Sequence, residues 1–146
     1  MTPFDSDAFM NSSVNEANAT KLIPCPPGDY PALIKEVKTR VLDKGSIILD
    51  VAWDVDDAKA KEKTGRQALT VYQSVFLEFD DNGGLAFGEG KNVSLGRLRA
   101  AVKQNSSGQP WSPMMLKGAV AKVKVTHRVD KNTGDVRDQV SAVAAI

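Results

Sequence analysis

The chain has 146 residues, a length that fits one domain with its own hydrophobic core. Its 42% apolar and 25% charged residues are ordinary for a globular protein, and they exclude an intrinsically disordered or membrane-embedded chain. The 19 basic and 18 acidic residues nearly cancel, but residues 91–137 hold ten basic and two acidic side chains, a net +8, whereas residues 1–90 carry −6.

Residues 1–29 show no periodic apolar pattern, and we interpret them as an extended arm on a domain that spans residues 30–146. The prolines that exclude a helix at the end of this arm are Pro24, Pro26 and Pro27. The apolar side chains expected to anchor the arm are Phe4, Phe9 and Met10. The N-terminus has acids where a signal peptide has basic residues, so we expect no export signal. Cys25 is the only cysteine, which excludes an internal disulfide and indicates a reducing compartment.

The next residues predict two antiparallel strands. Apolar and charged side chains alternate along residues 30–41. We expect Leu33, Val37 and Val41 on one face of this strand, and Glu36, Lys38 and Arg40 on the opposite face. Asp43-Lys44-Gly45 is a hairpin turn signal. The second strand follows, with an inward apolar stripe and outward acids: Ile47, Leu49, Val51, Trp53 and Val55 against Asp50, Asp54 and Asp56.

A charged connector and a third strand come next. Residues 57–66 favour a short helical turn capped by Gly65. Residues 67–79 return to a period of two, with an apolar side formed by Leu69, Val71, Val75, Leu77 and Phe79. The aromatic residues Tyr72 and Phe76 fall on the opposite, otherwise polar side, where we expect them to be exposed.

The last third of the chain predicts one helix and two strands. Asn92 or Ser94 can cap a helix whose apolar stripe is Leu95, Leu98 and Val102. A loop containing Trp111 leads to a fourth strand with inward residues Ala121, Val123, Val125, His127 and Val129. We expect His127 to be core or partly buried. After the turn 130–135, residues 136–143 form the fifth strand.

The element order is strand, strand, strand, helix, strand, strand. This order predicts a mainly β fold, a five-stranded OB-fold-like barrel with one helix between strands 3 and 4. A small five-stranded sheet covered by one helix would give the same order, so both arrangements stay open. Closure of the barrel would remove the exposed edges that short amphipathic strands otherwise present.

Three stretches resemble a known family. They are NATKLIPCPPGDYPALI (18–34), GKNVSLGRLRAAV (90–102) and GQPWSPMMLKGAVAKVKVTHRVDKNTGD (108–135). These stretches are similar to small proteins of tailed bacteriophages that are regarded as OB-fold single-stranded DNA-binding proteins. The resemblance implies a role in phage DNA replication or recombination, in the cytoplasm of the infected bacterial host. Many such proteins end in an acidic tail that recruits partners; this chain ends in SAVAAI, so we do not expect recruitment through a tail.

Binding of single-stranded DNA needs cations that follow the phosphates and rings on which bases stack. The candidate cations are Lys122, Lys124 and Arg128 on the fourth strand, Lys131 and Arg137 in the last hairpin, Arg97 and Arg99 on the helix, and Lys38 and Arg40 on the first strand. The candidate rings are Tyr72, Phe76 and Trp111. The acids on the second strand count against this interpretation because they would repel phosphate.

The sequence predicts a binding protein and not an enzyme. No catalytic pairing of carboxylates with Lys or His is present, and we expect no cofactor. The Asp54, Asp56 and Asp57 cluster is a weak candidate for a Mg²⁺ site. The alternative is a phage protein-interaction module, an accessory factor or inhibitor that uses the barrel to bind a protein. The expected partners are single-stranded DNA and replication or recombination proteins, with no membrane. A homodimer stays open, as does the choice between DNA and RNA.

Overall fold

The computed structural model describes residues 3–146. The strands are β1 (Gly28–Val41), β2 (Ile47–Val55), β3 (Thr70–Leu77), β4 (Val120–Val129) and β5 (Val136–Ala144). The helices are α1 (Ser6–Met10), α2 (Ala58–Thr64) and α3 (Val93–Ala101), and a short 3₁₀ helix spans Pro113–Leu116. The strands form one antiparallel sheet in the order β3-β2-β1-β4-β5. The predicted five strands and the helix between β3 and β4 are confirmed.

The edge strands of this sheet are β3 and β5. The sheet is not closed by a hydrogen-bonded ladder between them, although parts of β3 lie within 8 Å of β5 between Cα atoms. Cα atoms of helix α3 also lie within 8 Å of Cα atoms of both β3 and β5. The fold is therefore a curved five-stranded sheet whose edges approach each other beside α3, and the closed barrel stays a prediction.

The core is built around the inward stripe of β2, as predicted. Trp53 is fully buried, and its Nε1 donates a hydrogen bond to Gln73 Oε1 at 2.9 Å. The buried core residues on the neighbouring elements include Ile34 on β1, Val71 and Val75 on β3, Leu95 and Leu98 on α3, and Val123 on β4. Because truncating a buried Trp to Ala costs about 3–5 kcal/mol, Trp53 alone accounts for a large share of a typical domain's stability.

Strand β1 contains a bulge that changes which of its residues face the core. The pairing with β2 shifts between Ile34 and Glu36, leaving Lys35 as the extra residue. Leu33 lies opposite Asp54 and is 40% exposed, so it shares the outward face of Glu36 and is not on the inward face with Val37. The expected single face of Leu33, Val37 and Val41 is therefore wrong, because uninterrupted alternation does not survive a bulge.

The predicted turns and the short connector helix are confirmed. Gly45 has a φ of 88° in the β1–β2 hairpin, a left-handed conformation that costs glycine little. Helix α2 begins after Asp57, whose carboxylate accepts a hydrogen bond from the Ala60 backbone N–H at 2.9 Å. It ends at Gly65, with a φ of 72°. Strand β3 ends at Leu77, so Phe79 is not on the apolar side of a strand; it is 42% exposed and forms an isolated bridge with Leu85.

Asn92 precedes helix α3 but does not cap it with its side chain. Its backbone is left-handed, with a φ of 50°, and its side chain points back to the loop after β3. The Asn92 amide donates to Glu78 O at 2.8 Å and to Ala86 O at 2.9 Å, while Oδ1 accepts from Glu78 N at 2.8 Å. This residue therefore fixes the start of α3 to the end of β3.

The arm is held by its last residues and not by its aromatic ones. Phe4, Phe9 and Met10 are all more than half exposed, so the expected anchors are wrong. The Cys25 backbone N–H donates to Asp138 Oδ2 at 2.7 Å, and Cys25 O lies 2.7 Å from His127 Nε2.

His127 itself is exposed, which corrects the expectation that it is partly buried or in the core. The β1–β4 pairing ends with Gly28 opposite Val125, so residues 126–129 of β4 pair only with β5. In this two-stranded part of the sheet His127 contacts the end of the arm through Cys25 O.

Candidate nucleic-acid interface

Two aromatic side chains stand out from the outward face of β3. Tyr72 is 56% exposed and Phe76 is 59% exposed, while Val71 and Val75 are fully buried on the other face. Residues four apart on a strand are about 13 Å apart, which leaves room for bases on both rings. The expected exposure of both rings is confirmed.

The rings lie beside an apolar strip on β2. The register places Tyr72 opposite Ala52 and Phe76 opposite Ile48, and these two outward residues are only 6% and 3% exposed. Directly opposed residues in an antiparallel pair have Cβ atoms about 5 Å apart, so the exposed rings lie directly beside these two buried residues. We call Tyr72, Phe76, Ala52 and Ile48 the ring face.

Two cations border this face on β1. Lys38 lies opposite Asp50, and Arg40 lies opposite Ile48, so both share the outward side of the sheet. Two strand spacings, about 10 Å, separate β1 from β3. Lys38 and Arg40 are exposed, and the exposed Glu36 lies on the same outward side opposite Ala52, so β1 borders the ring face with two cations and one acid.

The acid between them is already paired. Arg40 Nε donates to Asp50 Oδ2 at 2.8 Å, and Arg40 Nη2 donates to Oδ1 at 3.2 Å. Ser74 Oγ donates to the same carboxylate at 3.4 Å. The hydrogen bonds from Arg40 hold the pKa of Asp50 below its ordinary value. The acidic character that counted against phosphate binding is thus compensated at Asp50.

The other acids of β2 have different surroundings. Asp54 lies opposite Thr70 and Leu33, and its Oδ1 is buried without a hydrogen-bond partner among residues 3–146. Asp56 is exposed beyond the end of β2, and Asp57 caps α2. No group of three or more His, Cys, Asp or Glu side chains in this part of the chain could hold a metal ion.

The predicted cationic row on β4 lies away from the ring face. Lys122, Lys124 and Arg128 are exposed on its outward side. Lys122 lies opposite Pro31, near the start of β1. Tyr72 lies opposite Ala52, which in turn lies opposite Glu36, on the other side of the β1 bulge. Counting strand and residue spacings on a flat sheet, about 20 Å separates Tyr72 from Lys122.

The remaining basic residues of the last hairpin are partly compensated. Arg137 Nε lies 3.5 Å from Asp130 Oδ2, and Arg137 is the cross-strand partner of Arg128. Backbone hydrogen bonds from Asn132 and Thr133 lower the pKa of Asp130. Lys131 is exposed in the turn. The structure therefore divides the predicted cations among β1, the β4–β5 hairpin and α3, and does not gather them in one groove.

Trp111 and Arg99 form a separate aromatic site. The Arg99 guanidinium carbon lies 4.1 Å from the centre of the Trp111 ring, within cation–π distance. Trp111 is only partly exposed, and Arg97, two residues before Arg99 and so about half a turn away on α3, is exposed. A base can therefore reach Trp111 only from the side that Arg99 leaves open.

The sequence reasoning missed Phe87, the most exposed aromatic residue of the described chain at 79%. It lies in the glycine-rich stretch GGLAFGEG, residues 83–90, and near Trp111. A single aromatic residue among glycines was the available signal, because such a loop has no core that the ring could join.

No family model matches the chain, and the comparison with curated proteins gives no match. Within residues 3–146, no helix is both long enough and apolar enough to cross a membrane.

Proposed function

We propose that the ring face of this protein binds single-stranded DNA with little sequence preference. The observation that carries the proposal is the pair Tyr72 and Phe76, two exposed rings on one strand face bordered by Lys38 and Arg40. Stacking on an aromatic side chain contributes about 1–3 kcal/mol per base and accepts any base, because every base has a π face. Phosphate neutralisation adds an attraction that is also independent of sequence.

Selection of single strands follows from the same chemistry. The bases of a duplex are stacked on each other, so their faces are not available to protein rings. A single strand can turn successive bases toward Tyr72 and Phe76 while its phosphates lie near Lys38. The five-stranded sheet supports the proposal, since OB-folds bind oligonucleotides on the face of their second and third strands.

The biological setting is proposed from the sequence resemblance. A protein of this kind would cover single-stranded intermediates of phage DNA replication or recombination, in the cytoplasm of the infected host. It would need neither a cofactor nor catalytic residues, because covering a strand requires no bond to be made or broken. Replication or recombination proteins would then be its protein partners.

A titration of fluorescent oligo-dT followed by anisotropy tests the proposal. We expect binding at low salt, and about sevenfold weaker binding between 50 and 200 mM salt if two phosphates are neutralised. Unlabelled single-stranded DNA should compete, and the same sequence as a duplex should not. Failure to bind at low salt, or equal competition by duplex, contradicts the proposal. Adding an RNA competitor determines the preference between DNA and RNA.

Protein binding is the second candidate function, and the apolar character of the ring face favours it. Tyr72 and Phe76 are exposed beside the buried Ile48 and Ala52, and exposed aromatic residues are also enriched at protein interfaces. The two candidates differ in their salt dependence. A protein partner held mainly by apolar contacts stays bound at high salt, whereas DNA held through phosphates dissociates.

A further inference from the structure

A cleft of about 470 Å³ lies between the loop that follows β3 and the loop that follows α3. Its aromatic lining consists of Phe87 from the first loop and Trp111 from the second. The polar side chains of the lining include Arg99, Asn105 and Gln109. None of these residues belongs to the ring face.

The Trp111 wall of this cleft is held in place by hydrogen bonds. Trp111 Nε1 donates to Gln104 Oε1 at 2.9 Å, and Gln104 Nε2 donates to Met115 O at 2.9 Å. Arg99 Nε donates to Gln104 O at 3.1 Å while its guanidinium covers the Trp111 ring. A ring fixed in this way loses little conformational entropy when a ligand packs against it.

Arg99 supplies positive charge at the cleft without an acidic partner among residues 3–146. Only its Nε hydrogen-bonds to protein in that range, so the terminal nitrogens face the cleft or solvent free to donate. No Asp or Glu lines the cleft in the described chain. The lining therefore includes two aromatic side chains, one guanidinium and two carboxamides, together with Leu85 and two serine hydroxyls.

The cleft lies beyond the end of the strand that carries Tyr72 and Phe76. The Ala86 backbone N–H donates to Glu78 O at 3.0 Å, which places the residue before Phe87 beside the continuation of β3. Exposed acids lie in this segment: Glu78, which lies 3.9 Å from Lys91 Nζ and accepts a hydrogen bond from Asn92 N at 2.9 Å, and also Asp80, Asp81 and Glu89. A strand that leaves Phe76 along β3 therefore arrives at the Phe87 loop.

We propose that this cleft binds one unpaired nucleobase together with its phosphate, an inference that rests on the proposed binding of single-stranded DNA. The base packs against Phe87 and the Arg99–Trp111 stack, planar groups suited to a planar ligand. Asn105 and Gln109 donate to and accept from the edge of the base. The terminal nitrogens of Arg99 bind the phosphate. The cleft thereby fixes one nucleotide of a strand that the ring face holds loosely.

Quenching of tryptophan fluorescence by dAMP tests the cleft without an oligonucleotide. Trp53 is fully buried, so a quencher in solution acts mainly on Trp111. We expect saturable quenching of the wild-type protein at millimolar dAMP, and binding about 5–150-fold weaker for Phe87→Ala, the range that corresponds to one lost base stack. Phe4→Ala is the matched control, because Phe4 is 76% exposed and Phe87 79%.

Two further measurements distinguish failure of the cleft proposal from failure of the proposed function. Deoxyribose 5-phosphate, which has no base, should not quench Trp111. Unsaturable quenching by dAMP, equal quenching by the phosphate sugar, or identical affinities of Phe87→Ala and Phe4→Ala overturns the cleft proposal. Binding of oligo-dT by anisotropy is measured on the same wild-type sample. If oligo-dT binds and Phe87→Ala changes nothing, the cleft is wrong and the proposed function stands. If dAMP binds and oligo-dT does not, the proposed function is wrong.

Discussion

The Arg40 guanidinium binds the Asp50 carboxylate through two hydrogen bonds, from Nε at 2.8 Å and from Nη2 at 3.2 Å, across the β1–β2 pairing. The two-point geometry fixes both side chains on the outward side of the sheet. Lys38, the direct cross-strand partner of Asp50, is left free of this pair and available to a phosphate. An acid that looked unfavourable in the sequence thus positions one cation, while Lys38 stays exposed beside Glu36 on the same face.

This pair predicts a specific pH dependence of stability. The hydrogen bonds from Arg40 lower the pKa of Asp50 in the folded protein below its ordinary value of 3.8. The pair therefore stabilises the fold fully above about pH 4, and this contribution is lost as the pH falls through the lowered pKa. Thermal melts of wild type and Asp50→Asn between pH 7 and pH 3 measure it. We expect the difference in Tm between the two proteins to shrink on acidification; a constant difference contradicts the assignment.

Lys38 is predicted to contribute to the salt dependence of DNA binding. Each phosphate contact to single-stranded nucleic acid adds about 0.7 to the slope of log K against log salt. Lys38→Gln should therefore reduce the slope by about 0.7 and weaken binding most at low salt. Lys59→Gln, an exposed lysine on α2, is the matched control and should leave the slope unchanged. Equal slopes for the two variants would remove Lys38 from the interface.

The lysines of β4 are predicted to matter only for long strands. About 20 Å separates Lys122 from Tyr72, so an oligonucleotide that covers just the two rings does not reach β4. The double variant Lys122→Gln/Lys124→Gln should bind a short oligo-dT as wild type does and a long one with a slope smaller by about 1.4. A length series from a few to about twenty nucleotides, measured by anisotropy, tests this. A uniform loss at every length would place the rings and β4 in one site.

Cys25 is predicted to react slowly with thiol reagents in the native protein. Burial raises the pKa of its thiol to about 11, with a further contribution from the Asp138 carboxylate, so almost no thiolate is present at pH 8. Asp138 also accepts the Cys25 backbone N–H, which holds the end of the arm. Asp138→Asn should accelerate labelling several-fold, because it removes a carboxylate that raises the thiol pKa and loosens the contact that holds the arm. Unchanged labelling of Asp138→Asn would contradict both roles of Asp138, and fast labelling of wild type would contradict the burial of the thiol.

Most of the fold follows from apolar periodicity in the sequence. The alternation in β2 and the capped segment after it predict Ile47–Val55 and α2 correctly. Both signals are local: apolar residues alternate along a half-buried strand, and capping residues mark the ends of a short helix. The bulge at Lys35 could not be predicted, since an extra residue in a strand depends on its pairing partner. Because of this bulge, Leu33 lies on the outward face, whereas the alternation predicts it on the same face as Val37.

The candidate site was predicted in its residues but not in its arrangement. Tyr72 and Phe76 interrupt a polar strand face, which is a local signal. The separation of Lys122 from that face depends on which half of β1 pairs with β4, and no local pattern carries this information. The arm was mispredicted for a similar reason: Lys21 and the backbone of Ile23 and Cys25 hold it through partners more than 40 residues away in sequence, which no local pattern identifies.

The central claim is that bases stack on the two rings of the ring face. The most direct measurement is the affinity for oligo-dT of Phe76→Ala and of Tyr72→Ala, each compared with Phe9→Ala. Phe9 and Phe76 have the same exposed fraction, 59%, so Phe9→Ala removes an equal ring at a place where no strand is expected. We predict affinities about 5–150-fold lower for each ring-face variant and an unchanged affinity for Phe9→Ala. Equal affinities for all three variants would contradict the account.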